Sequence, residues 1–106
     1  MIVQLRPLEL KEFIDAKEDL HLIDVREEWE YNFAKLQNSE LMPLGLFNKH
    51  ALELNPSKKI VIYCHHGIRS YQACEYLQNI GFRQLYNLDG GIDAWSKEVD
   101  NSVPLY

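Results

Sequence analysis

The sequence predicts an α/β fold built on a mainly parallel sheet, and three observations carry that expectation. Short apolar, β-rich runs alternate with helically spaced apolar patterns from one end of the chain to the other. The run Leu20 to Val25 is apolar enough to be covered on both faces, as strands of parallel sheets are. No repeat, low-complexity tract or linker interrupts the alternation, so the 106 residues are expected to form one domain, 1–106.

The first strand is expected at Ile2 to Leu5. It runs into Pro7, a residue suited to the first position of a helix, and Leu8, Leu10, Phe13 and Ile14 follow at amphipathic spacing. Leu20 to Val25 is the second strand, after which Asp24 is placed to cap a short helix carrying Trp29 and Phe33. A short strand around Leu41 and Met42 is ended by Pro43. Leu44 to Leu54 reads as one helix, and Asn55-Pro56-Ser57-Lys58 is a turn before the most β-like run, Lys59 to Tyr63. A helix from Ile68 to Ile80, stopped by Gly81, places Ala73, Cys74, Leu77 and Ile80 on one core-facing stripe. Leu85 to Leu88 is the last strand. The turn Asp89-Gly90-Gly91 then opens a helix holding Ile92 and Trp95. Both Trp29 and Trp95 read as core anchors.

Composition removes several classes of function. The chain carries 11 Lys plus Arg against 16 Asp plus Glu, a net charge of −5, with no basic stripe, so nucleic acid is not an expected partner. Arg6 and Pro7 break the apolar amino terminus too early for a signal peptide or membrane span, and a soluble, cytoplasmic monomer or weak dimer is expected. The 2 cysteines, Cys64 and Cys74, are too few for a disulfide scaffold and lack C-x-x-C spacing. Any thiol chemistry therefore belongs to one cysteine acting alone.

Ile62-Tyr-Cys-His-His-Gly-Ile-Arg-Ser70 is the informative stretch. A buried strand delivers Cys64 to the carboxyl edge of the sheet, where open α/β folds bind ligands, and a helix starts directly after it. The first turn of a helix leaves its N–H groups without intrahelical partners. Between Cys64 and Ser70 such groups can wrap a negatively charged sulfur, with Gly67 supplying a backbone conformation that side chains obstruct. The helix dipole and the charge of Arg69 act in the same direction and favour thiolate over thiol. Cys74 lies on the apolar stripe and reads as packing.

Cys64-His65-His66-Gly67-Ile68-Arg69-Ser70 resembles the active-site loop of the rhodanese (sulfurtransferase) family. Leu22-Ile-Asp-Val-Arg-Glu-Glu-Trp-Glu-Tyr31 resembles that family's Asp-Val-Arg signature. Leu88-Asp-Gly-Gly-Ile-Asp-Ala-Trp95, with Val103-Pro104, resembles its carboxyl-terminal signature. The resemblance implies a three-layer α/β/α rhodanese-like fold around a central, mainly parallel sheet of about five strands. It also implies sulfur transfer in two steps: Cys64 takes the outer sulfur of thiosulfate or of a small-molecule or protein persulfide, and hands it to a thiol or cyanide acceptor. No cofactor and no metal enter that scheme. Gly67, Ile68 and Ser70 would contribute to the binding ring, Arg69 would meet an anionic donor, and His65 and His66 would shape the mouth. The alternatives are a surface ion pair for Arg69 and exposed loop positions for the histidines.

Asp24 and Arg26 read as an ion pair tying a strand end to the rim, and Gly90 and Gly91 as residues that permit close approach beside the loop. One stretch departs from the family: Lys35-Leu-Gln-Asn-Ser39 stands where His-Ile-Pro-Gly-Ala is usual. Two other functions remain open. One is a non-catalytic interaction or regulatory module. The other is a cysteine-dependent phosphatase, whose loop needs five residues between Cys and Arg, whereas Cys64 and Arg69 enclose four.

Overall fold

A computed structural model describes residues 1–106. Strands β1 (Ile2–Leu5), β2 (Leu20–Asp24), β3 (Glu40–Leu41), β4 (Lys59–Tyr63) and β5 (Leu85–Leu88) form one sheet in the order β1-β5-β4-β2-β3. Every pairing is parallel. Parallel neighbours need crossovers. The helical elements are α1 (Pro7–Asp15), α2 (Glu28–Phe33), α3 (Phe47–His50), α4 (Ile68–Asn79) and α5 (Gly91–Glu98). The parallel five-stranded sheet expected from the sequence is the one that forms.

Successive strand side chains point to opposite faces, so each central strand feeds two cores. Ile23, Ile60 and Ile62 pack with Phe47 of α3 and with Ala73, Cys74 and Leu77 of α4. Leu22, Val61 and Tyr63 pack on the other face with Leu10 of α1 and with Ile92 and Trp95 of α5. The result is an α/β/α sandwich. β4 is buried on both sides from Ile60 to Tyr63, so its carboxyl end is a rigid place to mount a side chain.

Local details depart from the sequence reading for identifiable reasons. Asp24 does not cap α2. Glu27 takes that position in a capping box in which its main-chain N–H donates to Glu30 Oε1 at 3.0 Å, while Asp24 is buried against Arg26. Trp29 is exposed, not a core anchor, because the short α2 turns its neighbour Glu30 inward instead. The segment 44–54 is not one helix: α3 is a single turn flanked by 3₁₀ turns at Leu44–Leu46 and Ala51–Glu53, which still bury Phe47, Ala51 and Leu54. α4 ends at Asn79 rather than Ile80. Gly81, with φ +103°, donates to the Gln78 carbonyl and Phe82 donates to Leu77, a Schellman closure that leaves Ile80 exposed and packs Phe82 on the core in its place. In α1, Leu10 faces the core while Leu8 and Ile14 are exposed.

Candidate active site

The chain leaves β2 toward β3 on one side and leaves β4 toward β5 on the other, so the crevice between their carboxyl ends is the switch point of the sheet. Residues 25–30, after β2, and 64–70, after β4, meet there.

Cys64 follows β4 directly. Its Sγ accepts the main-chain N–H of Gly67 at 3.1 Å and that of Ser70 at 3.4 Å, and lies 3.3 Å from Ser70 Oγ. Gly67 makes this ring possible: it caps α4 with φ +102°, a conformation side chains rarely adopt. Donors aimed at one sulfur stabilise negative charge on it, the form in which a thiol attacks and in which it departs.

The ring is held from behind by the start of α5. Ile92 N–H donates to the Cys64 carbonyl at 2.9 Å and Asp93 N–H to the His65 carbonyl at 3.2 Å. In a trans peptide the C=O and N–H point in opposite directions, so fixing these carbonyls turns the His65 and His66 amides away from α5. Gly91 admits this contact. A Cβ there would stand 2.5 Å from the Cys64 carbonyl oxygen and closer still to the His65 carbonyl.

Ser70 is buried and its hydroxyl donates to Asn87 Oδ1 at 2.5 Å. Asn87 in turn donates from Nδ2 to the Gly67 carbonyl at 3.1 Å and to Gln4 Oε1 at 2.9 Å, which fixes the orientation of its amide. With its single proton on Asn87, the Ser70 hydroxyl presents an acceptor to a protonated thiol. It must rotate to donate to a charged one.

Arg69 does not stand free at the mouth. Its guanidinium donates twice to Glu30, Nη1 to Oε1 at 2.7 Å and Nη2 to Oε2 at 3.0 Å. These bonds hold the Glu30 carboxyl at about 2, with the Glu27 amide and the Tyr106 hydroxyl assisting. They also raise Arg69 above the ordinary guanidinium value. The second cation of the crevice, Arg26, is fully buried and also engaged: it donates to Asp24, to the Ala34 carbonyl at 2.5 Å and to Tyr106 Oη at 2.7 Å. The strand-end ion pair read from the sequence is therefore present.

Tyr106 ties the start of the Cys64 loop to α2. Its ring stacks on His65 at 3.9 Å and 8°, and its hydroxyl donates to Glu30 Oε2 at 2.7 Å. Trp29 and Phe33 meet the same ring edge-on. Burial lifts the Tyr106 phenol to about 12. Burial, then the neighbouring His66, pulls His65 below the ordinary imidazole value, against any cationic role. His66 and Ile68 are exposed. Cys64 keeps 1% of its surface in this arrangement, so a donor reaches the sulfur only when rim side chains move. Cys74 is buried on the core side of α4, where burial pushes its thiol up to about 12.

The structure thus brings Cys64, Gly67 and Ser70 together, keeps His65, His66 and Ile68 at the rim, and pairs Arg69 with a carboxylate. Sequence reasoning missed Glu30, Asn87 and Tyr106. Only Glu30 lay within a stretch the resemblance had singled out, and none of the three is near Cys64 in the chain. The altered stretch 35–39 is tied to the strand beneath the site: Leu36 N–H donates to Tyr63 Oη at 3.2 Å, and Ser39 Oγ lies 3.0 Å from the same hydroxyl.

The sequence profile of the rhodanese-like domain matches residues 6–98. A chloroplastic rhodanese-like/PpiC domain-containing protein of Arabidopsis thaliana is 41% identical over 93 residues, covering 84% of this chain but 31% of that protein. A sulfurtransferase of Allochromatium vinosum is 33% identical over 97 residues, covering 92% of this chain and 91% of its own length. The chain thus spans about a third of the first relative and most of the second. Among solved structures, a rhodanese-related protein of Thermoplasma volcanium superposes with a TM-score of 0.83 at 31% identity, covering 98% of this chain and 99% of that one. No helix is long and apolar enough to cross a membrane.

Proposed function

The chain belongs to the rhodanese-like domain family, and on that premise we propose that it is a sulfurtransferase working through a persulfide on Cys64. The observation that carries this reading is the convergence of the Gly67 and Ser70 main-chain amides on one sulfur at the switch point of the sheet. Relatives named as sulfurtransferases support it.

In the first step the Cys64 thiolate attacks the outer sulfur of the donor. The donor's S–S bond breaks, and its inner sulfur leaves with the electron pair, as a thiolate from a persulfide or as sulfite from thiosulfate. In the second step an acceptor thiolate or cyanide attacks the terminal sulfur, and Cys64 departs as thiolate. No external oxidant or reductant is required. Cys64 is the nucleophile. The main-chain amides of Gly67 and Ser70 close the ring around it, and His65, His66 and Ile68 frame the entrance.

Of the two donor classes, a persulfide fits better. Thiosulfate is a dianion, and both arginines of the crevice are already bound to carboxylates. Drawing Arg69 to thiosulfate strips a buried Glu30 of its partner, at a cost of about 3 to 5 kcal/mol when such pairs are broken. A persulfide needs no such exchange.

Mass spectrometry after treatment with glutathione persulfide or thiosulfate tests the reading. One added sulfur mapped to Cys64, lost in Cys64→Ser and discharged by cyanide, is expected. No sulfur on Cys64 with either donor overturns it.

A further inference from the structure

We propose that His65, His66 and Asp93 form a binding site for a divalent transition-metal ion of the zinc class on the rim of the Cys64 loop. One ring nitrogen from each histidine and one Asp93 carboxylate oxygen lie within 4.8 Å of one another. No side-chain hydrogen bond joins the three. His66 Nε2 stands 3.8 Å from Asp93 Oδ2, beyond hydrogen-bond range, and the buried His65 Nε2 has no partner at all. An unpartnered buried nitrogen is costly, and a coordinated ion is one way to satisfy it.

Two imidazoles and a carboxylate are a donor set that zinc accepts, at bond lengths of about 2.0 to 2.2 Å, with a fourth position left for water. Ligand atoms around such an ion sit closer together than 4.8 Å, so the site must contract. The side chain able to move is His66, which is 59% exposed. The other two are placed by the main chain, because the Asp93 N–H donates to the His65 carbonyl and fixes the loop against α5. Lys97 shares the Asp93 carboxylate at 3.0 Å but is itself 61% exposed, and exposed pairs of this kind are readily exchanged. The ring of His65, stacked between His66 and Tyr106, is held for coordination. This site is separate from the sulfur-accepting ring and stands whether or not Cys64 transfers sulfur.

Calorimetric titration of the reduced protein with Zn²⁺ in a non-chelating buffer tests the proposal, alongside His66→Ala, Asp93→Asn and Cys64→Ser. One equivalent should bind the wild type, and each of the first two variants should weaken binding at least about tenfold, while Cys64→Ser stays within about twofold. Co²⁺ loading gives an independent readout: d–d bands without sulfur-to-metal charge transfer are expected. Absence of a stoichiometric site, unchanged affinity in both His66→Ala and Asp93→Asn, or a thiolate charge-transfer band that disappears in Cys64→Ser overturns the proposal.

Discussion

Glu30 holds both outer nitrogens of the Arg69 guanidinium, at 2.7 and 3.0 Å, so the one cation in the Cys64 loop is neutralised from a different strand connection. The carboxylate is itself almost fully buried and fastened by the Glu27 amide and the Tyr106 hydroxyl. It therefore sets the charge a donor meets at the mouth of the site.

Replacing that carboxylate should change donor preference. Glu30→Gln keeps the size of the side chain and a hydrogen-bonding oxygen but leaves the Arg69 charge unpaired. A charge-assisted contact is worth about 1.5 to 3 kcal/mol, so thiosulfate kcat/KM should rise roughly ten- to a hundredfold relative to that for glutathione persulfide. Steady-state assays with both donors read the ratio directly. A parallel fall for both would show that Glu30 acts only through the fold.

The same pair predicts how stability responds to acid. The Glu30 carboxyl is held at about 2, against an ordinary value of 4.5. A carboxyl depressed on folding stabilises the folded state fully above its ordinary value, and the contribution fades as pH falls toward the lower one. The displacement corresponds to roughly 3 kcal/mol. Urea unfolding of the wild type and Glu30→Gln should thus show a stability gap at pH 7 that closes between about pH 4.5 and 2. A gap independent of pH would mean that the ion pair is not its source.

What the sequence made legible follows from where the information lies. The five strands, the Cys64 ring and the Gly91 contact are encoded in short contiguous patterns: apolar runs, a strand-to-helix junction and paired glycines. The partners of the ring are not. Glu30, Asn87 and Tyr106 reach Arg69, Ser70 and His65 across 39, 17 and 41 positions of chain, and no local pattern announces such pairings. Trp29 departs from its expected burial for a related reason. Apolarity argues for burial, but α2 has only six residues, and the face it turns inward carries the carboxylate that Arg69 requires.

Tyr106 controls access to the thiol if its bridge between His65 and Glu30 closes the rim. Tyr106→Ala removes both the stack and the hydroxyl, and Tyr106→Phe removes only the hydroxyl. At one fixed pH, iodoacetamide should alkylate Cys64 several-fold faster in Tyr106→Ala than in wild type, with Tyr106→Phe between them. Equal rates in all three would place the barrier elsewhere in the loop.

Gly91 bears the closest packing of the site, and its replacement should separate folding of the sheet from assembly of the ring. Its φ of +64° already disfavours a side chain, by about 1 to 2 kcal/mol. A Cβ would also collide with main-chain carbonyl atoms of Cys64 and His65, which cannot swing aside as a side chain tip can. Relief requires α5 and the loop to part, and that loosens the bonds from Ile92 and Asp93 that orient the loop peptides. Gly91→Ala should therefore lower the melting temperature by more than the backbone term alone produces and slow sulfur loading of Cys64. Gly45→Ala, whose added Cβ meets nothing within 4 Å, serves as the control and should leave loading unchanged. Normal loading by a fully folded Gly91→Ala protein would show that the ring tolerates displacement, and the rigid placement of Cys64 would then not be what makes it reactive.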